Sequence, residues 1–508
     1  MKLAAYLAAQ AQTFPDKVAI VCGETRVTFR QLDEDSNRIA TALRRSGIAV
    51  GDRVAMCLPN CCEFIMIFFA IVKSGALAMP INVRLSANEI STIFADASPA
   101  AVFFGEGERE AVDKISAGAV DRRFVVGDAS SPGETAVSSM LECPPEPIEL
   151  PSEHDDCMIS YTSGTTGRPK GVITTQANYI VGNGFLNAMY WSLSADDRIV
   201  VTTPLAHRTA FARVGNMAVL GATLHIMPRF DVAEATRLIE IEKITLISIV
   251  PTVGRMLLPA IEAQPERFSS LRVLVATGEA FPVEIKRRLL ATLPQLQIFS
   301  FFAMTEAGSL AMLKPDEQFD HGGSVGRVTP GVELRLVDSE MRSVTTGEAG
   351  EIWVRCGLPG QYLLFRTYFN QPQAMRDAFH EGWFKTGDIG RFDADGFLYI
   401  VDRKKDMVLS GGYNIYSKEV EQVLLRYKGV ADAAVIGVPD DIYGEAVAAF
   451  IEPEANVMLI KDELVKWCAS ELAGYKKPKH VMFMPELPRN SIGKVTKNEL
   501  RDLFRARH

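Results

Sequence analysis

The sequence predicts an α/β fold in two parts. A large N-terminal part of layered sheets and helices ends in a small β-barrel or meander, and a small α+β part follows. Three observations predict this. Up to about Gly322, short apolar runs alternate with amphipathic stretches of helical period. Beyond Gly322 the chain turns to short, Gly-punctuated, β-rich segments. From Ser417 a helix, two strands and a helix follow, enough to bury a core of their own.

The elements follow in order. "KVAIVCG" and "DRVAMCLP" read as buried strands, and "TFRQLDEDSNRIATALRRSG" as a helix with Thr28 as N-cap and Gly47 as its stop. "FIMIFFAIV" (Phe64 to Val72) reads as a buried helix, because a run this short falls far below the ~20 residues that span a bilayer. "AAVFFGEG", "RIVVTTPL", "ATLHIMP", "ITLISIVP" and "LRVLVATG" continue the strands of a largely parallel sheet. "VGRVTPGVELRLVD", "GEIWVRC" and "GFLYIVDR" make the barrel or meander. The last part reads as helix "SKEVEQVLLRY", strands "VADAAVIGVPD" and "AVAAFIEP", and helix "IKDELVKWCASELA". A boundary falls at the charged run near "VDRKKDM", giving residues 1–402 and 403–508.

Composition narrows the function. The chain has 508 residues with 47% apolar and 23% charged, an ordinary balance for a protein with a large core. A net charge of −8 offers no basic surplus for nucleic acid or an anionic membrane, but a local cluster can still bind phosphate. The eight cysteines (22, 57, 61, 62, 143, 157, 356 and 468) form no C-x-x-C pair, which suits reduced thiols in the cytoplasm. The N-terminus has no long apolar core or clear cleavage site, so no signal peptide is expected, and no integral membrane segment either.

"YTSGTTGRPKG" (Tyr161 to Gly171) carries the chemistry. Its glycines let main-chain N–H groups approach oxygen atoms closely. The hydroxyls of Thr162, Ser163, Thr165 and Thr166 add donors, and Lys170 adds positive charge. Such a loop suits a polyphosphate, although G-x-x-x-x-G-K-[ST] cannot be laid over it.

The stretch resembles the phosphate loop of the adenylate-forming superfamily, which includes acyl-CoA synthetases, peptide-synthetase adenylation domains and beetle luciferases. "PLAH", "TGEAFP", "MTEAG", "WFKTGD", "DRKKDMVLSGGYNIY" and "PRNSIGK" match further family motifs in the same order, so the resemblance covers essentially the whole chain. It implies a ligase that uses ATP, Mg²⁺ and coenzyme A. A carboxylate is a poor acyl donor, and attack on the α-phosphate of ATP gives it AMP as a leaving group.

The resemblance assigns roles residue by residue. Thr162, Ser163, Gly164, Thr165, Thr166, Gly167 and Lys170 would clamp the β- and γ-phosphates. Thr305 would contact the α-phosphate and Glu306 would hold Mg²⁺. Gly278, Glu279 and Ala280 would line the adenine site, with Phe302, Ala303 and Met304 beside it. Asp388 would bond the ribose hydroxyls, with Arg403 assisting. Lys494 would stabilise charge at the α-phosphate, as the main catalytic residue of adenylation. The C-terminal domain would be mobile and turn about Lys405 between half-reactions. Gly411 and Gly412 would let the pantetheine arm pass, and Tyr443, Tyr475 and Lys477 would hold CoA.

The acid is expected near His207, which gates the acyl pocket, with Phe185, Ala303, Met304 and Met312 as apolar lining. Family members usually carry Tyr-Gly before "MTE", and this chain carries Phe302-Ala303. The added methyl shortens the pocket and points to a medium-chain, aromatic or compact acid. Arg208 or Arg213, if turned inward, could pair with a second carboxylate or another polar substituent, although surface placement is the commoner fate of arginine. The expected partners are the acid, ATP and CoA, with a homodimer allowed. Rival readings are loading of a separate carrier protein, a non-catalytic nucleotide-binding relative, and a phosphotransferase that would release ADP.

Overall fold

The computed structural model describes residues 2–116, 120–151, 154–162, 169–277, 281–489 and 495–507. By contacts between Cα atoms, the described residues form two compact units. The larger holds those up to Glu333 together with Arg355–Gly382, and the smaller holds Leu334–Val354 and those from Trp383 onward.

Two sheets build the larger unit. One has the spatial order Arg327–Val328, Gly308–Leu313, Gln297–Met304, Val273–Ala276, Leu246–Ile249, Arg198–Val201, Thr223–Ile226, Val18–Cys22, Thr25–Thr28. Its middle is parallel, and antiparallel strands close both edges. The predicted strands "RIVV", "TLHI", "LISI" and "VLVA" all lie in that parallel middle. Apart from Arg198 they are buried, as their apolar runs require. The other sheet runs Thr367–Tyr368, Lys170–Thr175, Asp156–Thr162, Leu77–Pro80, Arg53–Cys57, Ala101–Gly105, Arg122–Val126, Glu134–Ala136.

Helices pack on these sheets for reasons visible in the chain. Thr28 begins the helix Phe29–Arg45 with a reciprocal capping box to Gln31. The apolar run Phe64–Val72 lies within the helix Cys62–Ser74, whose Phe64, Ile65, Ile67, Phe68 and Phe69 are fully buried. Among the described residues, no helix is long and apolar enough to cross a membrane. All eight cysteines are free thiols, and burial pushes Cys57 and Cys356 up to about 12.

In the larger unit the helix Arg208–Leu220 packs closely on a helical stretch running from Gln176 to Trp191. The middle of that stretch, Ile180–Leu186, is a π-helix. A Cβ at Gly184 would meet Val219 Cγ2 at 2.7 Å, and one at Gly215 would meet the Tyr179 carbonyl oxygen at 3.1 Å. Only glycine permits the two helices this approach.

The smaller unit contains, but for the end residues Glu333 and Arg355, the antiparallel strands Glu333–Val337, Gly350–Arg355, Trp383–Phe392 and Leu398–Arg403, where the sequence predicts a barrel or meander. It continues into the predicted helix Ser417–Leu425, the long hairpin Val430–Asp440 with Gly444–Pro453, and the helix Lys461–Glu471. Asp402 is 1% exposed and accepts from both the N–H and the hydroxyl of Ser417, which fixes the start of that helix.

His225 lies within the strand Thr223–Ile226 at 2% exposure, with neither ring nitrogen partnered. Burial pulls its pKa down from 6.5 to about 4. The folded state therefore keeps the ring neutral where the unfolded chain takes up a proton. Stability should be independent of this ring above pH 6.5 and should fall as the pH drops toward 4. The full loss is about 3 kcal/mol. Thermal unfolding followed across this range should show the decline, and His225→Leu should flatten it.

Candidate active site

The phosphate-loop motif sits on a β-hairpin. Asp156–Thr162 and Lys170–Thr175 pair antiparallel, and Thr162 stands opposite Lys170. Ser163, Gly164, Thr165, Thr166 and Gly167, predicted to clamp phosphate, lie outside the described residues, as do Gly278, Glu279, Ala280 and Lys494.

The strand Thr367–Tyr368 pairs with Val172–Ile173 on the same hairpin. This brings the Tyr368 ring beneath Lys170, whose Nζ is 5.0 Å from the ring centroid. The Tyr368 hydroxyl donates to Glu306 Oε1 at 3.2 Å. Burial first, and the Glu306 charge second, hold the Tyr368 phenol far above its ordinary range, so it stays a donor. Tyr368 thus joins the predicted phosphate lysine to the predicted metal ligand.

Thr305 and Glu306 occupy the turn after the strand Gln297–Met304. Their two carbonyls are held from different sides. Arg208 Nη1 donates to the Thr305 carbonyl. The Phe365 N–H donates to the Glu306 carbonyl at 2.7 Å. The segment carrying Phe365 and Tyr368 is anchored in turn by Asn178, whose amide donates to the Tyr362 and Leu364 carbonyls at 2.9 and 3.0 Å.

His207 is the N-cap residue of the helix Arg208–Leu220, so it precedes Arg208 directly. Asn82 Oδ1 accepts from the Arg84 N–H at 3.1 Å, so its amide nitrogen faces His207 Nε2, also at 3.1 Å, as donor. That places the ring proton on Nδ1. The loop before His207 is held by Asn60, which donates to the Thr203 and Met227 carbonyls at 3.0 Å and accepts from the Leu205 N–H at 2.7 Å.

Of the expected acyl-pocket residues, Ala303 is exposed at the end of its strand, Met304 and Phe302 are half-buried, and Met312 is buried. Phe185 lies on the π-helical stretch. It is 42% exposed, with its ring 6.1 Å from that of Tyr6 on the N-terminal helix. Neither arginine takes a surface position. Arg208 is half-buried on the Thr305 carbonyl, and Arg213 is 2% exposed with its guanidinium 4.7 Å from the Trp191 ring.

In the smaller unit, Asp388 and Arg403 face each other across paired strands. Arg403 Nε lies 3.2 Å from Asp388 Oδ1, and Asp388 is 5% exposed. Gly411 and Gly412 both have positive φ, at 57° and 83°. The exposed Tyr443 covers Gly411, where an added Cβ would meet its ring at 3.2 Å. Tyr475 stacks on Tyr413 at 4.6 Å. In "GYKKPK", Lys476 pairs with Glu419 and Lys479 with Asp440, while Lys477 is exposed with no ion pair among the described residues. Lys405 is exposed, and its carbonyl accepts from Arg501 Nη2 at 3.2 Å.

The larger unit is thus an α/β scaffold that collects a lysine, a carboxylate and a histidine near one turn, a set suited to an anionic, metal-bound ligand. Comparison with known proteins identifies the family: the chain belongs to the AMP-binding enzymes. Residues 7–369 match the family's main domain and 419–494 its C-terminal domain. The chain is 35% identical to a long-chain-fatty-acid–CoA ligase of Mycobacterium tuberculosis, over 95% of this chain and 94% of that one. It is 34% identical to a feruloyl-CoA synthase of Amycolatopsis, covering 97% of each. Among solved structures, o-succinylbenzoate CoA synthetase of Bacillus subtilis with its acyl-adenylate intermediate superposes with a TM-score of 0.85, at 29% identity and 98% coverage of both chains.

The residues present fit a divalent cation. Glu306 offers a carboxylate oxygen already oriented by one donor. Removing that donor with Tyr368→Phe should weaken Mg²⁺-dependent ATP binding about tenfold, the size of one hydrogen bond to a charged group. Tyr368→Leu should cost more, because the surface under Lys170 also goes. Calorimetric titration of ATP at fixed Mg²⁺ measures both.

Proposed function

We propose that this protein is an ATP-dependent carboxylate–CoA ligase, an AMP-forming acid–thiol ligase. It uses ATP, Mg²⁺ and coenzyme A, and it releases AMP and pyrophosphate. One observation carries the reading. A continuous set of contacts runs from His207 and Arg208 through the Thr305–Glu306 turn and Tyr368 to Lys170. It joins the residues that an acid, a metal and a leaving pyrophosphate each need.

In the first step a carboxylate oxygen attacks the α-phosphorus, and the bond to the pyrophosphate oxygen breaks. Lys170, with Thr162 and the loop residues after it, receives the charge that gathers on pyrophosphate. The Thr305 hydroxyl donates to the α-phosphate. Glu306 holds Mg²⁺, which supplies charge neutralisation at the phosphate oxygens when bound. Gly278, Glu279 and Ala280, with Phe302 and Met304, receive the adenine, and Asp388 and Arg403 the ribose. Lys494 stabilises the developing negative charge.

In the second step the CoA thiol attacks the acyl carbon. A C–S bond forms and AMP leaves. Gly411 and Gly412 pass the pantetheine arm, and Tyr443, Tyr475 and Lys477 hold the nucleotide end of CoA. Residues 403–508 turn as one body about Lys405 between the steps. The acid is compact, medium-chain or aromatic, since Ala303 brings a methyl group into the pocket entrance. Free CoA rather than a carrier protein is the acceptor. The enzyme is cytoplasmic, and the assembly is a homodimer, which sedimentation would test.

Acid-dependent turnover should yield AMP and pyrophosphate in equal amounts, and no ADP. Lys494→Ala should lower carboxylate-dependent pyrophosphate exchange by at least about a hundredfold. It should leave thioester formation from a supplied acyl-adenylate largely intact. Equal loss of both steps would refute the assigned division of labour. A protein with no exchange across a broad acid panel would not be a ligase.

A further inference from the structure

Arg213 is a charged group buried without a counter-ion. It is 2% exposed, and its Nε and Nη1 have no hydrogen-bond partner. Among the described residues, no carboxylate pairs with it. Among the described residues its hydrogen-bond partner is Asn187, whose side-chain oxygen accepts from Nη2 at 3.2 Å once the amide is oriented to satisfy both of its ends. Burial pulls the guanidinium down to about 9, so it still carries its charge at neutral pH.

Its surroundings share the deficit. The helix Arg208–Leu220 and the stretch Gln176–Trp191 face each other here. The Tyr190 hydroxyl, Trp191 Nε1, Asn183 Oδ1 and Asn216 Oδ1 are likewise buried with no partner. A well-packed interior satisfies such groups. An unpaired cation between two helical stretches that carry further orphaned polar atoms marks a place built to receive something else.

Position connects this place to the acid. Arg213 lies six residues beyond His207 on one helix, about 9 Å along its axis at 1.5 Å per residue. The Trp191 ring beneath Arg213 lies 6.0 Å from Phe301 and 6.3 Å from Phe299. Phe299, Phe301 and Ala303 alternate along a single strand and so share a face. Ala303 ends that face at the Thr305 turn, and Trp191 covers its deeper part.

We propose that the acid activated by this enzyme carries a second carboxylate at its far end, and that Arg213 receives it. The proposal rests on the ligase reading above and names its substrate class. The reacting carboxylate lies near His207, a compact spacer lies along the Phe301–Ala303 face, and the distal carboxylate meets the free N–H groups of Arg213. A methyl-ended acid of equal length would leave that cation unpaired. Arg213 is a specificity residue, and it takes no part in the bond changes.

The test compares acids of matched length on the full-length enzyme. Adipate, suberate and terephthalate are set against hexanoate, octanoate and para-toluate. The wild type should prefer the carboxylate-ended member of each pair by at least about tenfold in kcat/KM. Arg213→Met should bring the ratio to about one or below, chiefly through KM. Asn187→Asp, which places a carboxylate on the Arg213 guanidinium, should erase the preference by competition, and it keeps the test alive if Arg213→Met does not fold. A wild type that prefers the methyl-ended acids, or shows no preference, overturns the proposal. So does a preference that survives both variants. If no acid supports turnover, the ligase reading fails separately. The proposal then stands only if the same dicarboxylates raise the wild-type melting temperature and the methyl-ended acids do not.

Discussion

The site depends on how one turn is held. Thr305 and Glu306 follow the end of a strand, where no sheet ladder fixes the backbone. Their carbonyls are instead fixed by Arg208 from one direction and by the Phe365 N–H from another. Arg208 opens the helix that His207 caps, and Phe365 lies three residues before Tyr368. Holding the turn therefore holds His207 and Tyr368 relative to each other. Hydrogen bonds to carbonyls suit this task. They fix the backbone through its carbonyls rather than through the Thr305 and Glu306 side chains.

Charge is distributed unevenly across the molecule, and the pattern separates support from function. Most of the lysines and arginines discussed above are engaged. Lys476 and Lys479 are tied to carboxylates, and Arg208 is tied to a carbonyl. Lys170 rests on an aromatic face, which leaves its donors available. Arg403 and Asp388 hold one another across paired strands, which orients a nearly buried carboxylate.

The sheets and most helices are legible in the sequence because apolar runs and caps are local signals. Thr28, Gly47 and the run Phe64–Val72 each declare their element within a few residues. The motif expected to hold phosphate stands out in the sequence for the same reason. It is contiguous, and Thr162 and Lys170 mark its two sides. Tyr368, Asn60 and Asn178 are not legible. Each acts through partners far away in the chain, and the strand carrying Tyr368 is only two residues long, too short to show a period. The 42% exposure of Phe185 is not legible either, because a helical stretch gives no hint of which side faces solvent. The π-helix at Ile180–Leu186 also shifts the faces from their α-helical positions. Arg213 runs against expectation because arginines seldom lie buried without a charged partner.

The glycine contacts between the two helices have an evolutionary consequence. Gly184 against Val219, and Gly215 against Asn183 Cβ and the Tyr179 carbonyl, set the helix separation, and the outer atoms of the side chains around Arg213 take no part in those contacts. Residues such as Asn183, Asn187, Arg213 and Asn216 can then change without moving His207 or the turn that Arg208 grips. The scaffold separates what is recognised from what is done to it. A lineage built on it can acquire new acids by exchanging a few side chains and inherit the same chemistry each time.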